Sequence, residues 1–446
     1  MTILSDGQSG LTKLERVSKL SARDKTVVFN NLEHIIDLPL LKETYDSLNG
    51  KKAIGIDGMT KEKYGIRLDE NLKELLTRIR RGTYRPQPAR LVEIPKEDGS
   101  TRPLAISCLE DKLVQSAINA VLTSIYEPVF LPTSFGFRPG KSCHQALRAL
   151  SNHAFHQYDG AVVEIDLRKF FNTLPHDKVL NCLEKKISDA RFLRLVNKLM
   201  KTPIIDESGL VTPNEIGCPQ GSIISPTIAN LYLHEVIDEW FEETKRHHLM
   251  GKAEMVRYCD DMVFLFQKPM DAERFYRALP KRLDKYGLKL HEEKSQIIRS
   301  GRMAAKRANE KGERLPTYKF LGFTCYWGKS RSGFWRLKYT SRKDRFVTKL
   351  KGLRKFLWEN LNTRDTLGLL KTVVRVVKGW VNYHAISDNQ RRVGAFLEHS
   401  KKILFSWFNR RGRKYPINWS RFIKVLDRVK FPKTWKVVSM FPKASR

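Results

Sequence analysis

The clearest pattern in the chain is a pair of short apolar runs that flank two adjacent acidic residues. Apolar positions within residues 255–266 lie on both sides of Asp260 and Asp261. Two β-prone runs around a polar pair predict a hairpin with both aspartates at or near its turn. An ordinary β-turn also explains an Asp-Asp pair, without any chemical role.

A second apolar run, residues 160–165, ends on Asp166 and is followed by Leu167 and two aromatic residues. The pattern predicts a buried strand with Asp166 at its end. Capping of the next helix is the alternative role for this side chain. Carboxylates held together on separate strands repel one another unless a cation lies between them, and Mg²⁺ is suited to that position. Two-metal phosphoryl transfer uses carboxylates arranged in this way.

Helical periodicity and turn residues predict most of the remaining elements. The alternating pattern of residues 84–106 predicts a hairpin that turns at Asp98-Gly99, and Ser225-Pro226 predicts the start of a helix. Residues 318–327 have the pattern of a strand. Helices are predicted over residues 32–48 with an interruption at Pro39, 68–84 with an end at Gly82, 110–130, 344–361, 367–384 and 393–411.

The charge of the chain indicates a polyanionic partner. Its 446 residues carry a formal charge of +34, and 41% of them are hydrophobic, enough to build packed cores. The excess is concentrated in residues 340–446, which hold 27 Lys and Arg against six Asp and Glu. Apolar runs are too short to span a membrane and the N-terminus lacks the pattern of a signal peptide, so we expect no membrane partner.

The six cysteines are widely spaced, and the closest pair, Cys108 and Cys143, is 35 positions apart. Without a CxxC or Cys/His cluster, the sequence predicts reduced thiols in the core rather than a structural zinc site or disulfides.

Several motifs together resemble those of group II intron-encoded reverse transcriptases. YCDD at residues 258–261, and Asp166 with the following Phe171, resemble the two catalytic motifs of a reverse transcriptase palm. Six other motifs occur in the same order as in the family, at residues 94–115, 134–147, 218–233 with its PQG-x3-SP pattern, 291–295, 320–323 and 379–384. The similarity extends from about Gly55 to Asn389 and reaches the maturase domain of the family.

This resemblance implies an α+β fold of the right-hand polymerase type. Fingers and a palm with an antiparallel sheet would occupy residues 56–335, after an N-terminal extension of residues 1–55. A basic α-helical thumb or maturase domain would form residues 336–446. The sequence resembles the bacterial type without the Cys-rich HNH endonuclease domain, because no such segment follows.

The resemblance also implies a set of catalytic and nucleotide-binding residues. Asp166, Asp260 and Asp261 would ligate two Mg²⁺ ions, for which Mn²⁺ can substitute, and the Leu167 carbonyl is a further candidate ligand. In the family, the residues that correspond to Lys96 and Arg102 cover the triphosphate, and the one that corresponds to Phe171 excludes a 2′-OH. Gln220 corresponds to a residue that faces the template base or nucleotide, and Lys294 to one that approaches the leaving pyrophosphate. Solvated charges and core packing are the alternative roles of these side chains.

Candidate contacts to nucleic acid come from two regions. Arg138 and Lys141 lie in a Gly-rich turn that precedes a predicted helix, where a phosphate could bind. Lys349, Arg375 and Lys378 lie on the basic C-terminal helices, which carry five of the eight tryptophans. Packing within a helix bundle is the alternative role for those aromatic residues.

The expected function is therefore RNA-directed DNA synthesis combined with binding of intron RNA and assistance of its splicing. The partners would be structured RNA, a DNA primer or target, and deoxynucleoside triphosphates. The expected location is a cytoplasmic, nucleoid-associated ribonucleoprotein. A homodimer is one assembly that the sequence allows. Cys259 stands where Ala is usual in the family, and such departures also fit free-standing relatives that act in repair or defence. An RNA-binding splicing factor with a silent polymerase is the third alternative.

Overall fold

The computed structural model describes residues 10–95, 101–412 and 415–441. Helix and sheet are mixed, and the sheets are largely antiparallel. The helices are α1 (Gly10–Arg23), α2 (Leu38–Ser47), α3 (Lys61–Gly65), α4 (Leu68–Arg80), α5 (Leu109–Tyr126), α6 (Cys143–Phe155), α7 (Phe170–Thr173), α8 (His176–Glu184), α9 (Ala190–Met200), α10 (Ser225–Leu233), α11 (Trp240–His247), α12 (Pro269–Lys285), α13 (Arg302–Glu310), α14 (Lys343–Glu359), α15 (Thr366–His384), α16 (Gln390–Arg411) and α17 (Trp419–Arg428).

The strands form three sheets. They are β1 (Ala89–Pro95), β2 (Thr101–Ile106), β3 (Gly160–Ile165), β4 (Ile204–Ile205), β5 (Val211–Thr212), β6 (Ala253–Tyr258), β7 (Asp261–Phe266), β8 (Gln296–Ser300), β9 (Tyr318–Phe320), β10 (Phe323–Lys329) and β11 (Trp335–Ser341). The sheets have the orders β2-β1-β4-β5, β6-β7-β3-β8 and β11-β10-β9.

The sheet β6-β7-β3-β8 is antiparallel throughout and buried on both faces. Met262, Phe264 and Phe266 of β7 face the main core, which contains α5 and α8–α12, while Val263 and Leu265 face a second core beneath β9–β11. Burial of both faces explains why β3 and β7 have continuous apolar sequences instead of an alternating pattern.

The C-terminal helices α14–α17 have a hydrophobic core of their own. Trp380 stacks on Phe396 with ring centroids 3.8 Å apart, and Trp407 is buried in the same core. Trp358 and Trp419, in contrast, are exposed. The segment after α17 returns to the rest of the molecule, where Val438 pairs with Ile386 and Met440 is buried in the core beneath β9–β11.

Most of the predicted elements are confirmed, including the hairpin β1–β2, the strand before Asp166 and the three long C-terminal helices. The turn of the first hairpin, with Asp98-Gly99, lies outside the described residues. Pro39 lies in the first turn of α2, so it begins a helix rather than interrupting one. The six cysteines form no disulfide, as expected, and five of them are buried.

Other features differ from the sequence-based expectations or lie outside them. Residues 318–327 form the hairpin β9–β10 instead of one strand, because Leu321 and Gly322 both adopt positive φ angles and reverse the chain. Helix α17 was not anticipated. Ser225 is the first residue of α10 rather than its cap, and its hydroxyl donates to the Pro219 carbonyl. Among the described residues, no helix is long and apolar enough to cross a bilayer.

The aromatic cluster under the central sheet gives a prediction on stability. Phe275 is 2% exposed and packs against the rings of Phe241, Phe264 and Phe266. We expect Phe275→Ala to lower the free energy of unfolding by about 3–5 kcal/mol through lost burial and a residual cavity. Chemical denaturation measures this difference. The control is Phe334→Ala, at a side chain that is 74% exposed, and equal losses in both variants would contradict the prediction.

Candidate active site

The two adjacent aspartates lie on the tight turn between β6 and β7. Tyr258 pairs with Asp261 across the hairpin, so Cys259 and Asp260 form a two-residue turn. Cys259 has a φ of +57°, as this kind of turn requires, although a residue with a side chain adopts it at a cost. Asp261 is the first residue of β7. The predicted hairpin is therefore confirmed, with Asp260 in the turn and Asp261 directly after it.

Asp166 directly follows β3, which is paired with β7. The last pair of the ladder is Ile165 with Met262, and one further step along this register places Asp166 opposite Asp261. The backbone at Asp166 is fixed by two hydrogen bonds: its N–H donates to Ser295 Oγ at 3.1 Å, and its carbonyl accepts from the His291 N–H at 2.9 Å. The strand ends thus bring together residues that are far apart in sequence.

The carboxylates influence one another electrostatically. The pKa of Asp261 is raised to about 7, chiefly by burial and additionally by the charges of Asp260, Glu164 and Asp166, against the hydrogen bond from the Leu321 N–H. Burial also raises the pKa of Asp260; the Asp166 charge adds to that shift, and Arg102 on β2 opposes it. The turn therefore holds more negative charge than its protein neighbours compensate.

Asp166 and Asp261 each contact a group on another element of the fold. Asp166 Oδ2 lies 3.4 Å from Lys294 Nζ, and Asp261 Oδ2 accepts the Leu321 N–H at 3.2 Å. Within the part of the chain that the structure describes, no group of three or more His, Cys, Asp or Glu side chains is arranged to hold a metal ion. The donor set nevertheless suits Mg²⁺, because Asp166, Asp260 and Asp261 offer hard carboxylate oxygens at neighbouring strand ends. Leu167 is buried and pairs with Leu290, and its carbonyl remains a candidate ligand.

A buried ion pair lies directly behind the turn. The guanidinium of Arg257 on β6 is fully buried; its Nε and Nη2 donate to Asp238 at 2.7 and 2.5 Å. Its Nη1 donates to Asn230 Oδ1 and to the Cys259 carbonyl. Burial would raise the pKa of Asp238, but the Arg257 charge lowers it overall. Asp238 lies in a π-helical stretch, His234–Glu239, which links α10 to α11.

The segment with the sequence SFGFRPG packs against the same turn. A Cβ on Gly136 would lie 2.4 Å from the Cys259 nitrogen, so only glycine fits there. The Gly136 carbonyl accepts a hydrogen bond from Asn230 Nδ2 at 2.6 Å, and the Phe135 N–H donates to the Arg257 carbonyl. This motif therefore supports, from outside, the hairpin that carries Asp260 and Asp261.

Arg138, expected to contact nucleic acid, has a structural role instead. Its side chain is 5% exposed and forms an ion pair with Glu127 at 2.8 Å. Its remaining N–H groups donate to the carbonyls of Leu131, Ser134 and Phe130, so no donor is available for a phosphate. The Gly-rich turn directs this side chain inward, which sequence spacing could not show.

A cavity between β1–β2 and the PQG segment is lined by two of the expected nucleotide residues, whereas Arg102 and Lys294 are not among its lining residues. Phe171 and Gln220 line it; the neighbouring Phe170 is buried in the main core, against which one side of the half-buried Phe171 ring also packs. Gly221 has a φ of +107°, and a Cβ there would lie 2.6 Å from the Ala105 carbonyl oxygen. Lys96 lies outside the described residues.

The expected cations of the C-terminal helices are exposed. Lys349 on α14 and Arg375 and Lys378 on α15 lie on the solvent side, and no ion pair is found for them among the described residues. Lys141 is half-buried, with its ammonium group 5.8 Å from the centre of the Phe135 ring.

The residues that support the Asp260–Asp261 turn could not be identified from the sequence pattern. Arg257 is the one charged residue in the buried interior of β6, and a charge in such a strand requires a buried partner. The buried charge of Arg257 therefore indicates an ion pair, but the sequence does not identify Asp238 as the acidic partner. Leu321 gave no chemical signal in the sequence, because it contacts Asp261 through its backbone N–H.

Comparison with known proteins gives a consistent result. The family model described as "Reverse transcriptase (RNA-dependent DNA polymerase)" matches residues 94–325. The chain is 31% identical to "Group II intron-encoded protein LtrA" of Lactococcus lactis subsp. cremoris, over 76% of this chain and 52% of that protein. It is 27% identical to "Uncharacterized 91 kDa protein in cob intron" of Schizosaccharomyces pombe, over 87% and 55% of the two chains.

A third relative is "Protein YkfC" of Escherichia coli, which is 37% identical over 48% of this chain and 55% of its own length. The chain thus spans about half the length of these curated relatives. The family match covers more than half of the chain, including both aspartate-bearing strand ends. This protein belongs to the reverse transcriptase (RNA-dependent DNA polymerase) family.

Proposed function

We propose that this chain catalyses RNA-directed DNA synthesis, in which a primer 3′-OH attacks the α-phosphate of a deoxynucleoside triphosphate and releases pyrophosphate. The observation that carries the proposal is the arrangement of Asp166 beside the Asp260–Asp261 turn, where burial and the Asp166 charge raise the pKa values of Asp260 and Asp261. Reverse transcriptases generally use divalent metal ions. Bound Mg²⁺ would acidify the attacking hydroxyl and balance the charge on the leaving group.

The protein's own residues would supply orientation and charge. Asp166 and Asp260 would ligate two ions, with Asp261 contributing charge and a weaker contact. Lys294 is ion-paired with Asp166 and 62% exposed, so it is free to turn toward a leaving pyrophosphate. Arg102 lies close enough to influence Asp260, a position suited to the triphosphate.

The architecture supports a right-hand arrangement. Sheet β6-β7-β3-β8 and its helices would form the palm, with the fingers before it and α14–α17 as the helical thumb or maturase domain. Because β11 extends to Ser341 and pairs with β10, we place the boundary after this strand, a few residues beyond position 335.

Structured intron RNA is the partner that we propose. The matched relatives carry the words "intron-encoded protein" and "intron maturase" in their names. Residues 340–446, with 27 Lys and Arg, present exposed cations on α14 and α15. Such a surface suits a folded polyanion, whose binding would weaken steeply with salt.

Loss of one carboxylate gives the primary test. We expect Asp260→Ala to lower Mg²⁺-dependent primer extension on an RNA template by about a thousandfold or more, because the catalytic groups act as a unit. RNA binding, measured by filter retention, should remain unchanged, and so should activity in the control Asp69→Ala on exposed α4. Undiminished extension by Asp260→Ala would remove the polymerase proposal.

Phe171 gives a test of sugar selection. Its half-buried ring lines the cavity beside Gln220 and would clash with a 2′-OH. We expect Phe171→Ala to raise ribonucleotide incorporation relative to deoxynucleotide incorporation by about tenfold or more, as measured by the ratio of kcat/KM values. Phe171→Tyr keeps a ring of similar bulk and serves as the control. An unchanged ratio in Phe171→Ala would place the selecting group elsewhere.

The raised pKa of Asp261 gives a prediction on stability and pH. Because the folded pKa of about 7 exceeds the ordinary value of 3.8, ionisation destabilises the metal-free fold progressively as the pH rises between these values. We expect Asp261→Asn, which keeps an oxygen for the Leu321 N–H, to melt at a higher temperature than the native chain at pH 8. The difference should disappear near pH 4.

Thermal melting with and without Mg²⁺ measures this effect. Added Mg²⁺ should stabilise the native chain more than the variant, since the ion compensates a charge that asparagine lacks. Asp69→Asn, on an exposed helix surface, is the matched control. A lower melting temperature for Asp261→Asn at pH 8 would contradict the electrostatic account.

A further inference from the structure

The turn between β9 and β10 touches one of the candidate catalytic carboxylates. Its two residues, Leu321 and Gly322, have φ angles of +47° and +79°. The Leu321 N–H donates to Asp261 Oδ2 at 3.2 Å. A leucine in this conformation costs about 1 kcal/mol or more, and burial of its side chain in the core beneath β9–β11 offsets that cost. The turn is therefore a rigid support for Asp261.

The same residue is also held from the C-terminal helices. The Leu321 carbonyl accepts a hydrogen bond from the Tyr383 hydroxyl of α15 at 2.8 Å. The bonded N–H and carbonyl belong to the peptide groups on either side of the Leu321 Cα, and the two-residue turn, with φ of +47° at this residue, restricts the angle between them. Two hydrogen bonds thus link the Asp261 carboxylate to α15.

The end of α15 is itself fixed. His144 Nε2, near the start of α6, lies 2.8 Å from the Tyr383 carbonyl oxygen. The next residue, His384, forms a hydrogen bond with the Ser341 hydroxyl of β11, and Asn389 donates to both Ser341 Oγ and the His384 carbonyl. The Tyr383 ring stacks on Phe323 at 5.9 Å. The hydroxyl therefore has a defined position relative to the active site.

We propose that Tyr383 is a positioning residue for Asp261: through the Leu321 backbone, α15 sets the orientation of this carboxylate and thereby the affinity of the site for divalent cations. The inference rests on the proposed metal role of Asp261. Oδ2 is occupied by the Leu321 N–H, whereas among the described residues no hydrogen bond is found to Oδ1. A carboxylate held by one oxygen presents the other to a cation without first losing rotational freedom.

The test replaces Tyr383 with phenylalanine in the full chain, which removes the hydroxyl and keeps the ring. Mn²⁺ is the probe, because its electron paramagnetic resonance signal distinguishes free from bound ion without any turnover. We expect Tyr383→Phe to weaken Mn²⁺ binding about threefold to tenfold, less than the loss of a direct partner of a metal ligand would cause. The Mg²⁺ concentration for half-maximal primer extension should rise by a similar factor, with the rate at saturating Mg²⁺ largely retained.

Tyr339→Phe is the matched control. Tyr339 is more deeply buried than Tyr383 and belongs to the same core, and its hydroxyl bonds to Ser151 Oγ and the Leu147 carbonyl instead of to Leu321. We expect this variant to lose stability and keep native Mn²⁺ affinity. Equal weakening in both variants would show a general loosening of the core and overturn the inference, as would native affinity in Tyr383→Phe.

A double-mutant cycle separates this inference from the proposed function. In the Asp261→Asn background, Tyr383→Phe should not weaken Mn²⁺ binding further, because the hydroxyl acts through that carboxylate. Additive losses would overturn the inference while leaving the polymerase proposal intact. Failure of the native chain to bind Mn²⁺ or to extend a primer would instead overturn the proposed function.

Discussion

The arrangement of the active site depends on one fully buried charge pair, Arg257 with Asp238. A guanidinium without a partner in this position would be strongly destabilising, and breaking such a pair costs about 3–5 kcal/mol. The pair therefore requires that the π-helical stretch and β6 remain in one relative position. Through Asn230 and the Cys259 carbonyl, the same guanidinium also fixes the SFGFRPG segment and the turn that carries Asp260.

This support explains how the turn tolerates unfavourable features. Cys259 has a left-handed conformation, and two acidic side chains with raised pKa values are adjacent to it. Each feature alone raises the free energy of the folded state. The contacts that Arg257, Gly136 and Leu321 make around the turn offset this cost. Strain and charge repulsion are thus concentrated where a cation would relieve them.

Sequence patterns predicted the elements that carry chemistry more reliably than the contacts that hold them. Periodicity located β3, β6, β7 and the long helices, because each buries an apolar face or both faces. It could not reveal that Arg138 points inward, since the same Gly-rich turn can direct a side chain either way. The Leu321 turn was missed for a related reason: Leu at a left-handed position contradicts local preference and is sustained only by tertiary packing.

The path of the chain after α17 affects how the C-terminal helices can move. Arg148 on α6 donates to the Ser439 carbonyl, Met440 is buried beneath β9–β11, and the Arg336 guanidinium lies 4.5 Å from the centre of the Phe441 ring. The helical unit α14–α17 is therefore attached at both of its ends: its start is covalently connected to β11, and the segment after its last helix packs against the rest of the molecule. A unit with a single attachment could rotate about it as a hinge. With two, any large rotation must first detach the returning segment, so the movements that remain are small shifts inside the unit.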